Sequence, residues 1–424
     1  MLDRTIAPPT GEISSLKIPQ VETGHLSSGI PVHMINSGKH EIILLECIFK
    51  SGRWFENIPG VSYFTSKMLL EGSSYMTSHQ IAEFFESHGA HVQIYAGADL
   101  VVFSVYVLKK NLERVIKVLK EILNHPIFPS YELEILKEIQ IQKIKINDKK
   151  NNIKAGKEFR ALIYGEKHPY GRSLEIVDIE QNINTNSITK FYQNDLLSDL
   201  EIIISGKLDQ KLINSLEIFS DVSLIPKKNP EHMFQDPVSF QKKITVDSSL
   251  QTSIRYGRRI IAKDHGDYIP LVFLNEILGG FFGSRLMKNI REAKGYSYGI
   301  RSSLIHQIHD SLWLIGTDVR KEHTSDAIHE IQNEFHKLRT KPIDDDELTM
   351  VKNYMLGNFL SSIETSFSLV EIFKEIYFFN LNHDYYDYYI QGINSINPTM
   401  IEEIANKYLV DDQFILVTVG GANQ

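Results

Sequence analysis

Cysteine is almost absent: the 424-residue chain has one, Cys47. A lone thiol cannot close an intrachain disulfide, so nothing here requires an oxidising compartment, and Cys47 reads as a core residue. Long apolar runs are missing too. The longest, IILLECIF (42–49) and VVFSVYVL (101–108), fall far short of the roughly 18 residues that cross a bilayer. The first residues, MLDRTIAPPTGEISS, lack the apolar stretch of a signal peptide. A cytoplasmic protein with no membrane partner is the resulting expectation. Positive charge is not in excess: 45 Lys and Arg face 53 Asp and Glu, a net charge of -8. Without a basic tract or an aromatic-interleaved basic patch, no nucleic-acid partner is expected.

What is present suits a large globular chain. With 42% hydrophobic residues over this length, two domains are expected instead of one core. Residues 1–20, with Pro8, Pro9 and Pro19, read as an extended arm. Strands are expected over 30–35 and 42–49, then a short helix from Gly60, then a helix capped by Thr77 or Ser78. AHVQIYAG and DLVVFSVYVL follow as two strands. An amphipathic helix over 111–124 stops before Pro126, and a long one runs from near Ser130 past Lys143. After HPYG (168–171) come a polar turn, a short helix and a strand at 200–206, which completes a first domain over 1–221. Residues 222–240 carry three prolines and no sustained period, as a linker does. The remainder, 241–424, repeats the pattern. LERVIKVLKEILNHPIFPSYELEILKEI in the first half corresponds to SDAIHEIQNEFHKLRTKPIDDDELTMVKNYM in the second, which points to a duplicated α+β domain. Two unrelated α+β domains with similar helix lengths are the alternative.

The stretch GVSYFTSKMLLEGS (60–73) has the form of a catalytic helix without its catalysts. Val61, Phe64, Met68 and Leu69 recur at helical spacing, and Gly72 stands where a left-handed cap would end the helix. Tyr63 and Lys67 lie four apart on one face with Ser66 beside them, the geometry of a metal pair. The residue types are wrong for a metal: a protonated lysine has no lone pair, and neutral Tyr and Ser bind zinc poorly. The segment resembles the zinc helix of the pitrilysin/insulinase peptidases, or inverzincins, whose pattern is G-x-x-H-F-x-E-H-x-x-x-x-G. Gly60, Phe64 and Gly72 match. By that resemblance the first histidine falls on Tyr63, the general base on Ser66, the second histidine on Lys67 and a later glutamate ligand on Lys143. All four are lost together, and two lysines would repel a cation. No metal, and no catalytic zinc, is expected in this chain.

A second motif, ILGGFFGSRLMKNIREAKGYSYGIRSS, spans 277–303. Its glycines follow a helix-like segment, and no Gly-Lys-Ser/Thr succeeds them, so it is not a phosphate loop. Ser284 is expected to cap a helix through Arg291, Gly295 to end it, and a strand to follow. The family's R-E-x-x-G-x-x-Y is matched by Arg291, Glu292, Gly295 and Tyr298. The resemblance implies that Arg291 and Tyr298 form a clamp reaching across a cleft to a substrate backbone carbonyl, which guanidinium and phenol donors can hold. In isolation they would read as a surface arginine and a core tyrosine. The family also adds peptide to an edge strand after a Gly-Ala pair, and here Gly89 and Ala90 precede His91, Val92, Gln93 and Ile94. His79, His88 and His91 form a weak alternative metal set without a carboxylate. His306 and His309 read as surface or packing residues, and Tyr385, Tyr386, Tyr388 and Tyr389 with Phe378 and Phe379 as packing.

The resemblance runs from HLSSGIPVHMI to FILVTVGG. It implies two α+β domains, each a mostly antiparallel sheet with helices on one side, facing each other around a cleft. Some peptidases of this family are heterodimers in which one chain bears zinc and the other keeps the clamp. This chain has the second profile: a non-catalytic subunit that binds peptide or unfolded polypeptide, with zinc in an H-x-x-E-H partner. A scaffold with no part in proteolysis is one alternative. Another is a metal-free hydrolase acting alone, although no Ser-His-Asp or Cys-His arrangement is legible.

Overall fold

The structure is a computed structural model that describes residues 19–38, 40–226, 228–237 and 239–421. The arm expected over 1–20 lies almost wholly outside the described residues. In the first half, strands β1 (Glu22–His25), β2 (Pro31–Asn36), β3 (Ile42–Phe49), β4 (His91–Ala96), β5 (Val101–Leu108) and β6 (Glu201–Gly206) form one sheet. Its order is β1-β2-β6-β3-β5-β4, antiparallel except for the β2–β6 pair. The second half contributes β7 (Gln241–Thr245), β8 (Gln251–Ile260), β9 (Ser297–Gln307), β10 (Asp310–Arg320) and β11 (Ile415–Gly420). Here the order is β7-β11-β8-β10-β9, antiparallel except for β7–β11. Apart from β1, the two sheets have the same order and the same strand directions. The chain is therefore an α+β protein of two tandem domains of like topology.

Helices of the first half are α1 (Val61–Met68), α2 (Ser78–Ser87), α3 (Leu112–Asn124), α4 (Ser130–Asn147), α5 (Asn151–Tyr164), α6 (Ile176–Asn182), α7 (Thr185–Phe191) and α8 (Gln210–Ser215). The second half has α9 (Tyr268–Asn275), α10 (Thr324–Thr340), α11 (Asp345–Ser362), α12 (Ser366–Phe378), α13 (Tyr385–Ser395) and α14 (Pro398–Tyr408). The helix from Ser130 runs past Lys143 as expected and ends at Asn147, and a separate helix, α5, follows. Other local expectations are refined or corrected. Thr77, not Ser78, caps α2, in a reciprocal box with Gln80. Gly72 has φ 155° and ends a single tight turn after α1, outside the left-handed helical region. Ser284 does not cap by its side chain, since its buried hydroxyl has no hydrogen-bond partner.

Each sheet buries one face under helices of its own half. In the first, Phe64 of α1 and Leu119 of α3 share a core with Leu45 and Phe103. The opposite faces are closed by exchange. Ala155 and Phe159 of α5 pack on Leu312, Ile415 and Val417 of the second sheet, while Leu369, Val370 and Phe373 of α12 pack on Ile35, Leu44 and Ile203 of the first. Gly257 of β8 makes this approach possible, because a Cβ there would stand 2.8 Å from the Phe159 ring.

The described residues of 222–240 form no helix or extended strand, yet they are anchored. The Trp54 indole donates to the Pro230 carbonyl at 2.9 Å, and the His232 ring lies 2.8 Å from the Trp54 carbonyl. The β9–β10 turn docks beside them: the Asp99 carboxylate accepts the Ile308 N–H at 3.0 Å and the Tyr170 hydroxyl at 2.5 Å. His309 stacks on Trp54 with ring centres 3.9 Å apart. His168 is buried beneath, its Nδ1 accepting the Tyr170 N–H at 3.1 Å. Burial, and after it the neighbouring His232 and Arg259, pull its pKa down to about 4.

Truncating Phe159 to Ala should cost about 3–5 kcal/mol and lower the urea midpoint, because it empties the contact between the two halves. For His168 the folded pKa is depressed, so its contribution to stability is present above the ordinary value of 6.5 and is lost as pH falls towards about 4. Asp99, raised by burial, acts in the opposite sense, so the comparison must be with a variant. Urea midpoints taken from neutral pH downwards should fall less in His168→Phe than in the parent, and equal slopes would show that this imidazole does not titrate with unfolding.

Candidate functional site

Helix α1 lies between the edge strand β4 and α4. It begins after Gly60, whose φ of 82° suits a residue without a side chain, and whose added Cβ would meet Leu174 at 2.8 Å. The buried Glu56 carboxylate accepts the N–H groups of Gly60 and Ser62 at 3.1 and 3.0 Å, and Arg172 lies 3.0 Å from it. Burial raises the Glu56 pKa against the opposing charge of Arg172. Negative charge at the first turn also complements the helix dipole.

Of the four positions on which the resemblance would place metal machinery, Ser66 and Lys67 are engaged in hydrogen bonds of their own. The Ser66 hydroxyl, fully buried, donates to the Ser62 carbonyl at 2.5 Å. Lys67 donates from Nζ to the Ile94 carbonyl on β4 at 2.8 Å. Tyr63 is half-buried, and burial pushes its phenol pKa up, so it stays neutral. Lys143, exposed on α4, is close enough to act on Lys67, whose pKa is lowered first by burial and then by that like charge. Two ammonium groups, a neutral phenol and a committed hydroxyl do not fit a divalent cation. Among the described residues no three His, Cys, Asp or Glu side chains are grouped to hold a metal ion. His79 pairs loosely with Glu83 at 3.9 Å, His88 bonds the Phe84 carbonyl at 2.8 Å, and His91 meets Gln93 at 2.7 Å.

Strand β4 ends its sheet, so one row of its backbone groups faces away from β5. Ala90 precedes it in a buried position, Ile94 turns towards α1, and His91, Gln93 and Tyr95 point outward. Gln93 and Tyr95 line a cavity of about 1080 Å³ between the halves, together with Tyr106, His306 and Tyr389. Tyr385 and Tyr386 belong to the same wall.

The clamp residues lie elsewhere. Tyr298, near the start of the edge strand β9, is 95% exposed. It lines a second cavity of about 560 Å³ over the second sheet with Arg255, Arg301 and Asp318. Ile305 borders both cavities. Arg291 sits in the short helical segment Met287–Ala293 before β9 and lines neither, its guanidinium resting 4.5 Å over the exposed ring of Phe282. The structure thus brings Tyr63, Ser66, Lys67 and Lys143 together beside β4, and sets Arg291 and Tyr298 apart from them on the other half.

Sequence reasoning missed a buried relay. The Thr23 hydroxyl lies 3.0 Å from His33 Nδ1, His33 Nε2 3.2 Å from Glu201, and the Tyr377 hydroxyl donates to Glu201 at 2.9 Å. The partners resemble a hydrolytic triad, but His33 is 1% exposed and wedged between Phe373 and Tyr377. No substrate atom can reach it, and its work is to tie α12 to the first sheet. No local pattern signals it, since Thr23 and Glu201 come from opposite ends of the domain.

Comparison with known proteins gives a consistent picture. Residues 46–174 match the family model of insulinase (peptidase family M16), and residues 182–355 that of the peptidase M16 inactive domain. An uncharacterized zinc protease of Rickettsia felis is 24% identical over 355 residues, which cover 80% of this chain and 83% of that protein. A non-peptidase homolog from Helicobacter pylori is 22% identical, with 82% and 79% covered. In structure the chain resembles a peptidase M16 inactive domain from Pseudomonas fluorescens, with a TM-score of 0.87 at 24% identity over 95% of this chain and 98% of that one. The chain belongs to the M16, or insulinase, family of peptidases.

Proposed function

We propose that this protein is a non-catalytic, peptide-binding subunit of a zinc peptidase, and that an H-x-x-E-H chain of the same family supplies the metal. The observation that carries this reading is the Lys67 ammonium, bonded to the Ile94 carbonyl at the position that resembles a metal ligand's, on a strand that has no neighbouring strand on its outer side. A chain that has lost its metal site while keeping a strand edge and an exposed Tyr298 retains the means to hold an extended peptide. The Helicobacter pylori relative described as a non-peptidase homolog supports the non-catalytic part. Among the described residues no helix is long and apolar enough to cross a membrane, and a cytoplasmic location is part of the same proposal.

One observation favours the scaffold reading: Arg291 is stacked on Phe282 and borders neither cavity. The two readings separate in a reconstitution. Mixed with a zinc-bearing chain of the family, this protein should restore peptide hydrolysis that neither chain performs alone. Arg291→Ala and Tyr298→Phe should each lower kcat/KM by about a hundredfold without preventing assembly. Full activity of the zinc chain by itself, or indifference to both substitutions in an assembled complex, would reject the substrate-binding role. Metal analysis of this chain alone should find no stoichiometric zinc, and Lys67→His with Lys143→Glu should not create a site while Ser66 and Tyr63 remain.

A further inference from the structure

The pair Lys67 and Lys143 has an electrostatic peculiarity. Some partly buried cations have close carboxylates, as Lys374 has Glu46 at 3.0 Å and Glu371 at 2.6 Å and Arg285 has Glu347 at 2.6 Å, whereas Lys352 rests on the Asn394 carbonyl alone. Lys67 uses one N–H on the Ile94 carbonyl and meets no carboxylate among the described residues. Lys143 makes no hydrogen bond or ion pair with them at all. Glu56, the acid at the start of α1, is already held by Arg172 and by two backbone N–H groups. Two like charges are therefore set beside each other, one half out of water, in a chain whose net charge is -8. An arrangement of this kind is relieved by an anion placed between them.

Register says where such an anion would come from. In β4, Ile94 is buried against α1 while Gln93 and Tyr95 face the cavity between the halves. A peptide added to the free edge of β4 alternates in the same way, so every second side chain turns towards α1 and α4. Resting on the peptide-binding reading above, we propose that Lys67 and Lys143 form a subsite for a carboxylate of the bound peptide, from an Asp or Glu side chain or from a free C-terminus. Lys67, held by the Ile94 carbonyl, is the fixed member of the pair. Lys143, exposed on α4, is the adjustable one.

The test uses the full chain and labelled extended peptides followed by fluorescence anisotropy. One peptide carries a central Glu, its twin carries Gln there, and each is made with a free or an amidated C-terminus. The Glu peptide, or the free-acid form, should bind about tenfold more tightly than its neutral twin, with the advantage shrinking at high salt. Whichever substitution removes the advantage identifies the source of the carboxylate. Lys143→Gln should bring the twins close to equal, and Lys143→Glu should reverse the order. Equal binding of all four peptides would overturn the subsite while leaving peptide binding intact. Absence of binding by every peptide would overturn the peptide-binding reading itself. A preference that survives both Lys143→Gln and Lys67→Met, in variants that melt like the parent, would place the carboxylate elsewhere and also reject the proposal.

Discussion

Each sheet needs cover on two faces, and its own half supplies cover for only one. That constraint shapes the rest of the molecule. Helix α5 crosses to the second sheet and α12 to the first, so the apolar inner faces close only when both halves are present. A helix is about 10 Å across and strands lie about 4.8 Å apart, so one crossing helix shelters two or three strands. The strands most closely approached are β2 and β6 under α12 and β11 and β8 under α5, with Leu44 of β3 and Leu312 of β10 at the margins. The unsheltered part of each inner face becomes a cavity wall, with β4 and β5 on one side and β9 and β10 on the other. The open edges available to an extended ligand thus follow from the arithmetic of covering a sheet with a single helix.

The helix on which the resemblance would place metal ligands is firmly held without them. Val61, Phe64, Met68 and Leu69 are buried in the first core, and the first turn is held by Glu56 and Arg172. Lys67 adds a tie to β4. Packing and capping are therefore enough to position α1, and the chemical face of the helix was free to change without cost to the fold.

Local features were legible and distant ones were not. The period of 60–72, a cap of α2 at Thr77 or Ser78 and the turn at Gly295 could be read because the residues that decide them are neighbours. The repeated order of elements also survived as pattern, and it emerges as two sheets with the same strand order. By contrast, α5 lies within NNIKAGKEFRALIY, whose few apolar residues face a sheet from the other half, so its period gave little warning of a separate helix. The latch at Asp99 joins residues 71 and 209 positions apart, and no spacing rule reaches that far. For the candidate site, the shared neighbourhood of Tyr63, Ser66 and Lys67 was readable, because one helix carries all three. That Arg291 would rest on Phe282 depends on the shape of a turn. The tyrosines of α13, read as packing, do pack: Tyr385 and Tyr386 are buried in the second core with Tyr389 against them, and only Tyr388 is exposed.

The exchange of helices also matters while the chain is being made. The first sheet has all its strands once Gly206 has emerged, but the helix that covers its inner face starts at Ser366, roughly 160 residues later. At ordinary ribosomal speed that is an interval on the order of ten seconds or more, during which Ile35, Leu44, Ile48 and Ile203 stand uncovered. A nascent chain in that condition is a natural client for a chaperone, and slow translation between β6 and α12 would lengthen its exposure.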